Sequence, residues 1–141
     1  MAPWRVDRHK QVGTATTTLD GEAVGPAGGI RASIRDMARL TAALLDGSAP
    51  GTAALDPVAN FSGRAARIGA AWITLEHDHR LVTWHNGGTG GFRTWLGLDR
   101  SARTAVVLMS ATSTSVDHHG FNLLAQMTPA HDHQPDPRED H

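Results

Sequence analysis

Residues 84–92 read Trp-His-Asn-Gly-Gly-Thr-Gly-Gly-Phe and lie between two apolar runs that are typical of strands, residues 81–84 and 92–98. Four glycines within residues 85–91 are more than a turn requires. Because glycine has no Cβ, it lets a backbone approach a ligand closely and leaves the N–H groups uncovered. A histidine beside such N–H groups can bind and polarise a carbonyl or carboxylate. The stretch therefore predicts a candidate site between two strands.

The segments on either side of this stretch predict an antiparallel meander of four strands. The strands cover residues 68–76, 81–84, 92–98 and 103–111, with tight turns at 77–80 and 99–102. Residues 105–109 are apolar on both faces. We therefore expect the fourth strand to lie inside the sheet with both of its faces covered.

Two helices flank the predicted strands. Ser33 is a good N-cap, Asp36 suits the positive end of a helix, and Gly47 is a stop signal, so the apolar spacing between them predicts a helix over residues 34–46. A second helix is predicted near residues 116–127. Its expected buried side consists of Val116, Phe121, Leu124 and Met127. Helices combined with a run of antiparallel strands predict an α+β fold.

The remaining segments are expected to be irregular. Residues 1–27 predict an extended lead-in, and Asp20-Gly21 within it is compatible with a short hairpin. Residues 47–66 predict a loop that has room for a short helical turn. Residues 130–141 are rich in His, Asp and Pro and predict a disordered tail, which leaves residues 1–129 as one domain.

Composition excludes several classes of partner and chemistry. The chain has 141 residues, 40% of them hydrophobic, and a formal net charge of −1, so neither nucleic acid nor an acidic membrane surface is indicated as a partner. Cysteine is absent, which excludes disulfides and thiolate chemistry. No run approaches the roughly 18 apolar residues of a membrane span. The polar start lacks a secretion signal and predicts a cytoplasmic protein by default, although a longer parent could be exported.

Several polar residues can be explained by structure alone as well as by function. Three histidine pairs invite a metal site: His77 and His79, His118 and His119, and His131 and His133. They fall in a turn, at a helix start and in the tail, whereas a metal site needs converging ligands, so we expect no metal.

Three serines follow the last strand without a lysine nearby: Ser110, Ser113 and Ser115. We interpret them as loop serines and a helix N-cap. His85 alone would be an ordinary surface histidine, and the flanking glycines favour the site.

Two segments resemble a known family. Residues 25–33, Gly-Pro-Ala-Gly-Gly-Ile-Arg-Ala-Ser, running into Ile-Arg-Asp-Met-Ala-Arg at 34–39, resemble the segment that opens a late helix in serine β-lactamase-type hydrolases. That superfamily includes class C β-lactamases, D-alanyl-D-alanine peptidases and related esterases. His85-Asn86-Gly87 resembles its third motif, Lys/His-Thr/Ser-Gly. The resemblance extends from about residue 13 to about residue 127.

The resemblance implies a role for each residue of the matching motif. His85 would hold a substrate carboxylate or tune the proton relay, and the Gly88 N–H would stabilise the developing oxyanion. Gly87 would allow close backbone approach, with Asn86 and Thr89 among the substrate-binding residues. Asn86 departs from the usual Thr or Ser but keeps hydrogen-bonding capacity. Histidine in place of lysine favours a peptidase- or esterase-like enzyme over an efficient β-lactamase, acting without a cofactor or a metal.

Two motifs of that family are missing from the chain. Its first motif, Ser-x-x-Lys, would need a serine three residues before a lysine, but the single lysine, Lys10, is preceded there by Asp7. The Tyr-x-Asn motif is absent because the chain contains no tyrosine. The resemblance therefore implies the C-terminal part of a β-lactamase/transpeptidase-like fold, which is inactive alone and whose complete enzyme acts on a small amide or ester substrate.

An alternative is a non-catalytic binding or assembly module that completes a separately encoded N-terminal half. Without the family's N-terminal strands, the strand predicted at 103–111 would expose an apolar edge, so we also expect marginal stability or self-association.

Overall fold

A computed structural model describes residues 28–61 and 66–127 of the chain. Its elements in chain order are α1 (Ile34–Asp46), a 3₁₀ turn (Thr52–Leu55), β1 (Ala59–Asn60), β2 (Ala66–Ile68), β3 (Ile73–His77), β4 (Arg80–Thr89), β5 (Phe92–Asp99), β6 (Thr104–Ser110) and α2 (Asp117–Met127). The strands form one antiparallel sheet in the order β1-β2-β3-β4-β5-β6. The α+β meander is confirmed, but the sheet has six strands where four were predicted. The expectations for residues 1–27 and 130–141 lie outside the described residues.

Helix α1 follows the sequence prediction at both ends. The Ser33 hydroxyl accepts a hydrogen bond from the Asp36 N–H (3.2 Å), and the Asp36 carboxylate accepts one from the Ser33 N–H (3.1 Å), which closes a capping box. Hydrogen bonds from the side chain and then the backbone of Ser33 lower the pKa of Asp36. At the other end, Gly47 adopts a left-handed φ of 80°, which glycine does without steric cost. The helix at residues 34–46 is therefore confirmed.

The strand predicted over residues 68–76 is wrong, because the structure breaks it into β2 and β3. Between them the Gly69 N–H donates to the Trp72 carbonyl (2.8 Å), and Ala71 takes a positive φ of 63°. The Ala70 N–H donates to Ala54 in the 3₁₀ turn (3.1 Å), and that turn is the helical turn expected within residues 47–66. The break thus depends on a contact with a distant segment, which local strand propensity does not report.

Each face of the sheet packs against one helix. Side chains alternate between the faces along a strand. On the α2 face, Trp95 and Val106 are buried together with Leu124 of α2. On the α1 face, Leu96 and Leu98 are buried with Leu55, and side chains of α1 pack over them. Successive residues of β5 therefore serve two separate cores.

Trp95 fixes the position of α2 on its face of the sheet. Its side chain is fully buried between two glycines, Gly97 on its own strand and Gly120 on α2. A Cβ at either glycine would overlap the indole ring. Phe121 packs edge-on against the same ring, with the centroids 5.0 Å apart. The second helix is confirmed, although Met127, predicted to be buried, is 60% exposed because it ends the helix.

Strand β6 is the last strand of the sheet in the described part of the chain. Its faces are covered as expected, since Val106 packs into the α2 core and Val107 into the α1 core. Its outer edge has no neighbouring strand among the described residues. All seven residues of β6 are uncharged. Neither helix in the described ranges is long and apolar enough to cross a membrane.

Candidate active site on the β4–β5 hairpin

The glycine-rich stretch lies inside a strand, and its interpretation as a connector between strands is wrong. Strand β4 continues to Thr89 and pairs regularly with β5, with Gly87 opposite Thr94 and Gly88 opposite Arg93. Only Gly90 and Gly91 form the turn, where Gly91 takes a φ of 82°. Cross-strand pairing thus holds two glycines in a strand despite their low β-propensity. The hairpin presents its glycines as an extended backbone.

The backbone N–H groups of Asn86 and Gly88 point to the open edge of β4. Hydrogen-bonded and non-bonded pairs alternate along an antiparallel ladder, and a two-residue turn is closed by a bonded pair, here Thr89 with Phe92. Odd-numbered residues of β4 therefore bond to β5, and even-numbered ones face the opposite side. Strand β3 covers that side only as far as Trp84, which pairs with Ile73. Among the described residues, two donors are thus left without a strand partner at this edge, and such donors can stabilise an oxyanion.

The side chains of His85 and Asn86 lie on opposite faces of the sheet. His85 is exposed on the α1 face and makes no side-chain hydrogen bond within the described residues. Asn86 lies on the α2 face, where its amide donates to the carboxylate of Asp117 at the start of α2 (2.8 Å). The two motif residues therefore share the edge of β4 through their backbone, while only His85 brings a free side chain.

Two side chains of β5 lie close against the backbone of residues 87 and 88. A Cβ at Gly87 would stand 2.7 Å from the hydroxyl oxygen of Thr94, and a Cβ at Gly88 would overlap the Arg93 guanidinium. Arg93 is held in place by a hydrogen bond from its Nε to the Ser113 carbonyl (3.2 Å). The sequence predicted the glycines but missed Thr94 and Arg93, whose place beside them follows from the strand register.

The α1 face is open at the hairpin end of the sheet. Helix α1 and the 3₁₀ turn cover the face around Leu96 and Leu98. Beyond them, Phe92 and Met109 remain 45% and 42% exposed on the same face. These two apolar side chains flank Thr94, Phe92 along β5 and Met109 across on β6. The polar groups beside Gly87 therefore have an apolar border on which a substrate substituent could rest.

A small cavity of about 10 Å³ lies away from these residues. It is on the α2 face, and its lining includes His77, Val82, Asp99 and Phe121. The volume has room for one water at most. The Asp99 Oδ2 atom beside it has no hydrogen-bond partner among the described residues. The cavity is too small to hold a substrate.

Two of the predicted serines lie beside the hairpin, since Ser110 pairs with Arg93 and the Ser113 carbonyl accepts from its side chain. Ser110 is the last residue of β6, so its interpretation as a loop serine is wrong. The described histidines outside the motif make contacts elsewhere. The His77 ring packs against Phe121 (4.9 Å between centroids), and His118 bonds to Asn122 (3.1 Å). Within residues 28–61 and 66–127, no cluster of side chains has the composition of a metal site. The Ser115 hydroxyl accepts from the Asp117 N–H (3.2 Å), in agreement with the capping interpretation.

Comparison with known proteins assigns the family. The family model described as Beta-lactamase matches residues 2–126, which include α1, the whole sheet and nearly all of α2. No curated protein and no solved structure matches the chain significantly. Since the matched residues make up most of the 141, the chain belongs to the beta-lactamase family.

Proposed function

We propose that this chain is the C-terminal part of a beta-lactamase-family serine hydrolase and supplies one side of its active site. The reaction is acyl transfer from an amide or ester to a serine that lies on polypeptide outside this sequence. The observation that carries the proposal is the pair of outward N–H groups, on Asn86 and Gly88, at an open edge beside His85. Such an edge has the donors that a reacting carbonyl needs.

Each hairpin residue has a defined task in this reaction. When the serine oxygen attacks the substrate carbonyl, the new C–O bond places negative charge on the carbonyl oxygen, and the Gly88 N–H donates to it. His85 holds a substrate carboxylate or takes part in the proton relay. Gly87 admits the substrate close to the backbone, Asn86 contributes its outward backbone N–H, and Thr89 contributes to substrate binding. The sequence has neither Ser-x-x-Lys nor a tyrosine, so the chain alone is inactive.

The contacts of Asn86 favour an ester substrate over a β-lactam. Its amide is already bonded to Asp117 (2.8 Å) and is not free for a substrate carboxylate. A carboxylate brought to that position would also meet the negative charge of Asp117. Histidine in place of lysine at position 85 also argues against an efficient β-lactamase.

The test is reconstitution of turnover. The purified chain is assayed with nitrocefin and with p-nitrophenyl acetate, alone and after mixing with a fragment that carries Ser-x-x-Lys and Tyr-x-Asn. We expect no turnover by the chain alone, and ester turnover by the mixture that disappears when the fragment's serine is replaced by alanine. Turnover by the chain alone that is abolished by replacing one of its own serines would overturn the proposal. An in-frame or frameshifted pair of these motifs in the DNA just upstream would support it directly.

A second candidate function is a non-catalytic binding or assembly module. The observation that favours it is the outer edge of β6, which is uncharged and has no neighbouring strand among the described residues. An edge strand without charge or proline readily pairs with another chain. The chain would then complete a separate N-terminal half or associate with itself. Pull-down of a Ser-x-x-Lys fragment without turnover supports this function. A single monomeric peak in size-exclusion chromatography with a cooperative melt excludes self-association.

A further inference from the structure

We propose that Thr94 is a substrate-binding residue of the hairpin site, whose hydroxyl donates a hydrogen bond to a carbonyl or carboxylate oxygen held between it and His85. The inference rests on the proposed function, because it concerns the same edge of the sheet. It adds a residue on the neighbouring strand, outside the His85-Asn86-Gly87 motif.

The position of the Thr94 hydroxyl follows from its pairing with Gly87. The two residues are directly opposite each other on β5 and β4, so their side-chain positions lie on the same face. The hydroxyl oxygen lies 2.7 Å from where a Cβ of residue 87 would be. Because Gly87 has no Cβ, the hydroxyl lies over bare backbone. A group that approaches this backbone therefore meets the hydroxyl.

His85 lies on the same face as Thr94 and one diagonal away from it. Diagonal neighbours across an antiparallel pair are about 7–8 Å apart, and long side chains reach closer. Neither the imidazole nor the Thr94 hydroxyl makes a side-chain hydrogen bond to another described residue. Two donors at diagonal positions on one face can both reach a single oxygen-bearing group that lies between them.

The neighbouring residues explain why a hydroxyl from β5 is needed. The Asn86 side chain lies on the other face, where its amide donates a hydrogen bond to the Asp117 carboxylate. On the α1 face, β4 therefore offers His85 but no second donor at Gly87. Phe92 and Met109, both partly exposed on this face, border Thr94. The substrate class that fits is an acyl compound with an apolar substituent.

The test is an NMR titration of the ¹⁵N-labelled full chain with N-acetylleucine amide, and with N-acetylleucine as its carboxylate counterpart. Ligand binding is followed at the Gly87 and Gly88 amide signals. For Thr94→Val and Thr94→Ala, we expect the Kd to rise about three- to tenfold, as one net hydrogen bond implies. Thr94→Ser keeps the hydroxyl and should bind within about twofold of the unaltered chain.

The control is Thr104→Val, at the opposite end of the sheet, where Thr104 pairs with Asp99 and its hydroxyl donates to Ala102 (3.2 Å). Its Kd should not change. Equal Kd values for the unaltered chain and for both variants that lack the hydroxyl overturn the role of Thr94 and leave the hairpin site standing. If neither ligand shifts the Gly88 signal of the unaltered chain, the hairpin site itself fails, and the role of Thr94 with it.

Discussion

Replacing Gly120 by alanine should destabilise the protein, although alanine is the better helix former. Gly120 lies inside α2 with its Cα against the Trp95 ring, and an added Cβ would overlap three atoms of the indole. The ring is fully buried and is backed by Gly97 on its other side, so it has no room to move away. The methyl group must therefore displace the helix or the indole.

The magnitude follows from two opposing effects. Overpacking a dense core costs about 1–3 kcal/mol, and the tight slot around Trp95 places this case at the upper end. Alanine recovers about 1 kcal/mol relative to glycine within a helix. We expect the free energy of unfolding to fall by about 2 kcal/mol, measured by urea titration followed by circular dichroism.

A double-mutant cycle with Trp95→Phe separates the clash from other effects. Phenylalanine takes less space than the indole, so Gly120→Ala should cost less in that background, with a coupling of about 1 kcal/mol or more. Asn122→Ala, at an exposed position on the same helix, controls for effects on the helix itself. A Gly120→Ala protein as stable as the original, or additive costs in the cycle, would refute the assignment of Gly120 and Gly97 as the slot for Trp95.

Three further predictions concern the helix start and the hairpin. Because hydrogen bonds from Ser33 lower the pKa of Asp36, the stabilisation by its charged form is present above the ordinary carboxyl pKa and is lost as the pH falls through the lowered value. Urea titrations should therefore show Asp36→Asn to be less stable than the original near neutral pH, with the difference shrinking below about pH 4. Asp117→Ala should release the Asn86 amide, seen as a shift of its side-chain NH₂ signals toward free-amide values, and an unchanged spectrum would contradict that contact. In the reconstituted enzyme, His85→Ala should lower kcat/KM about 10²-fold or more while leaving fragment binding unchanged, and equal turnover would remove His85 from the site.

Much of helix α1 could be predicted because its signals are local. Ser33, Asp36 and Gly47 act within one turn of the ends they define, so their spacing in the chain is also their spacing in space. The break between β2 and β3 had no such signal. It depends on Ala71 in a left-handed conformation and on contacts of residues 69–70 with the 3₁₀ turn, which a reading of strand propensity does not include.

Some residues of the candidate site could be predicted from the sequence, and others could not. His85 and Gly87 could be predicted because a histidine followed by glycines is visible in one short stretch of sequence. Thr94 could not, because its place beside Gly87 depends on the strand register. Asp117 is 31 residues from Asn86 along the chain and reaches it only because α2 docks on the sheet. The site residues outside the motif, Thr94 and Asp117, are therefore defined by long-range contacts that the sequence does not show.

The alternation of His85 and Asn86 between the two faces sets how this region tolerates insertions and deletions. Losing or gaining one residue within β4 before His85 would carry the imidazole beneath α2 and push the amide out to the opposite side. Substrate contact by His85 and docking of α2 through Asn86 would fail together, because both depend on the same alternation of side chains along β4. Length changes should accumulate at Gly90-Gly91, where an extra residue leaves the alternation of β4 intact. Natural or engineered variation in hairpin length is therefore expected at the tip and not in the strand.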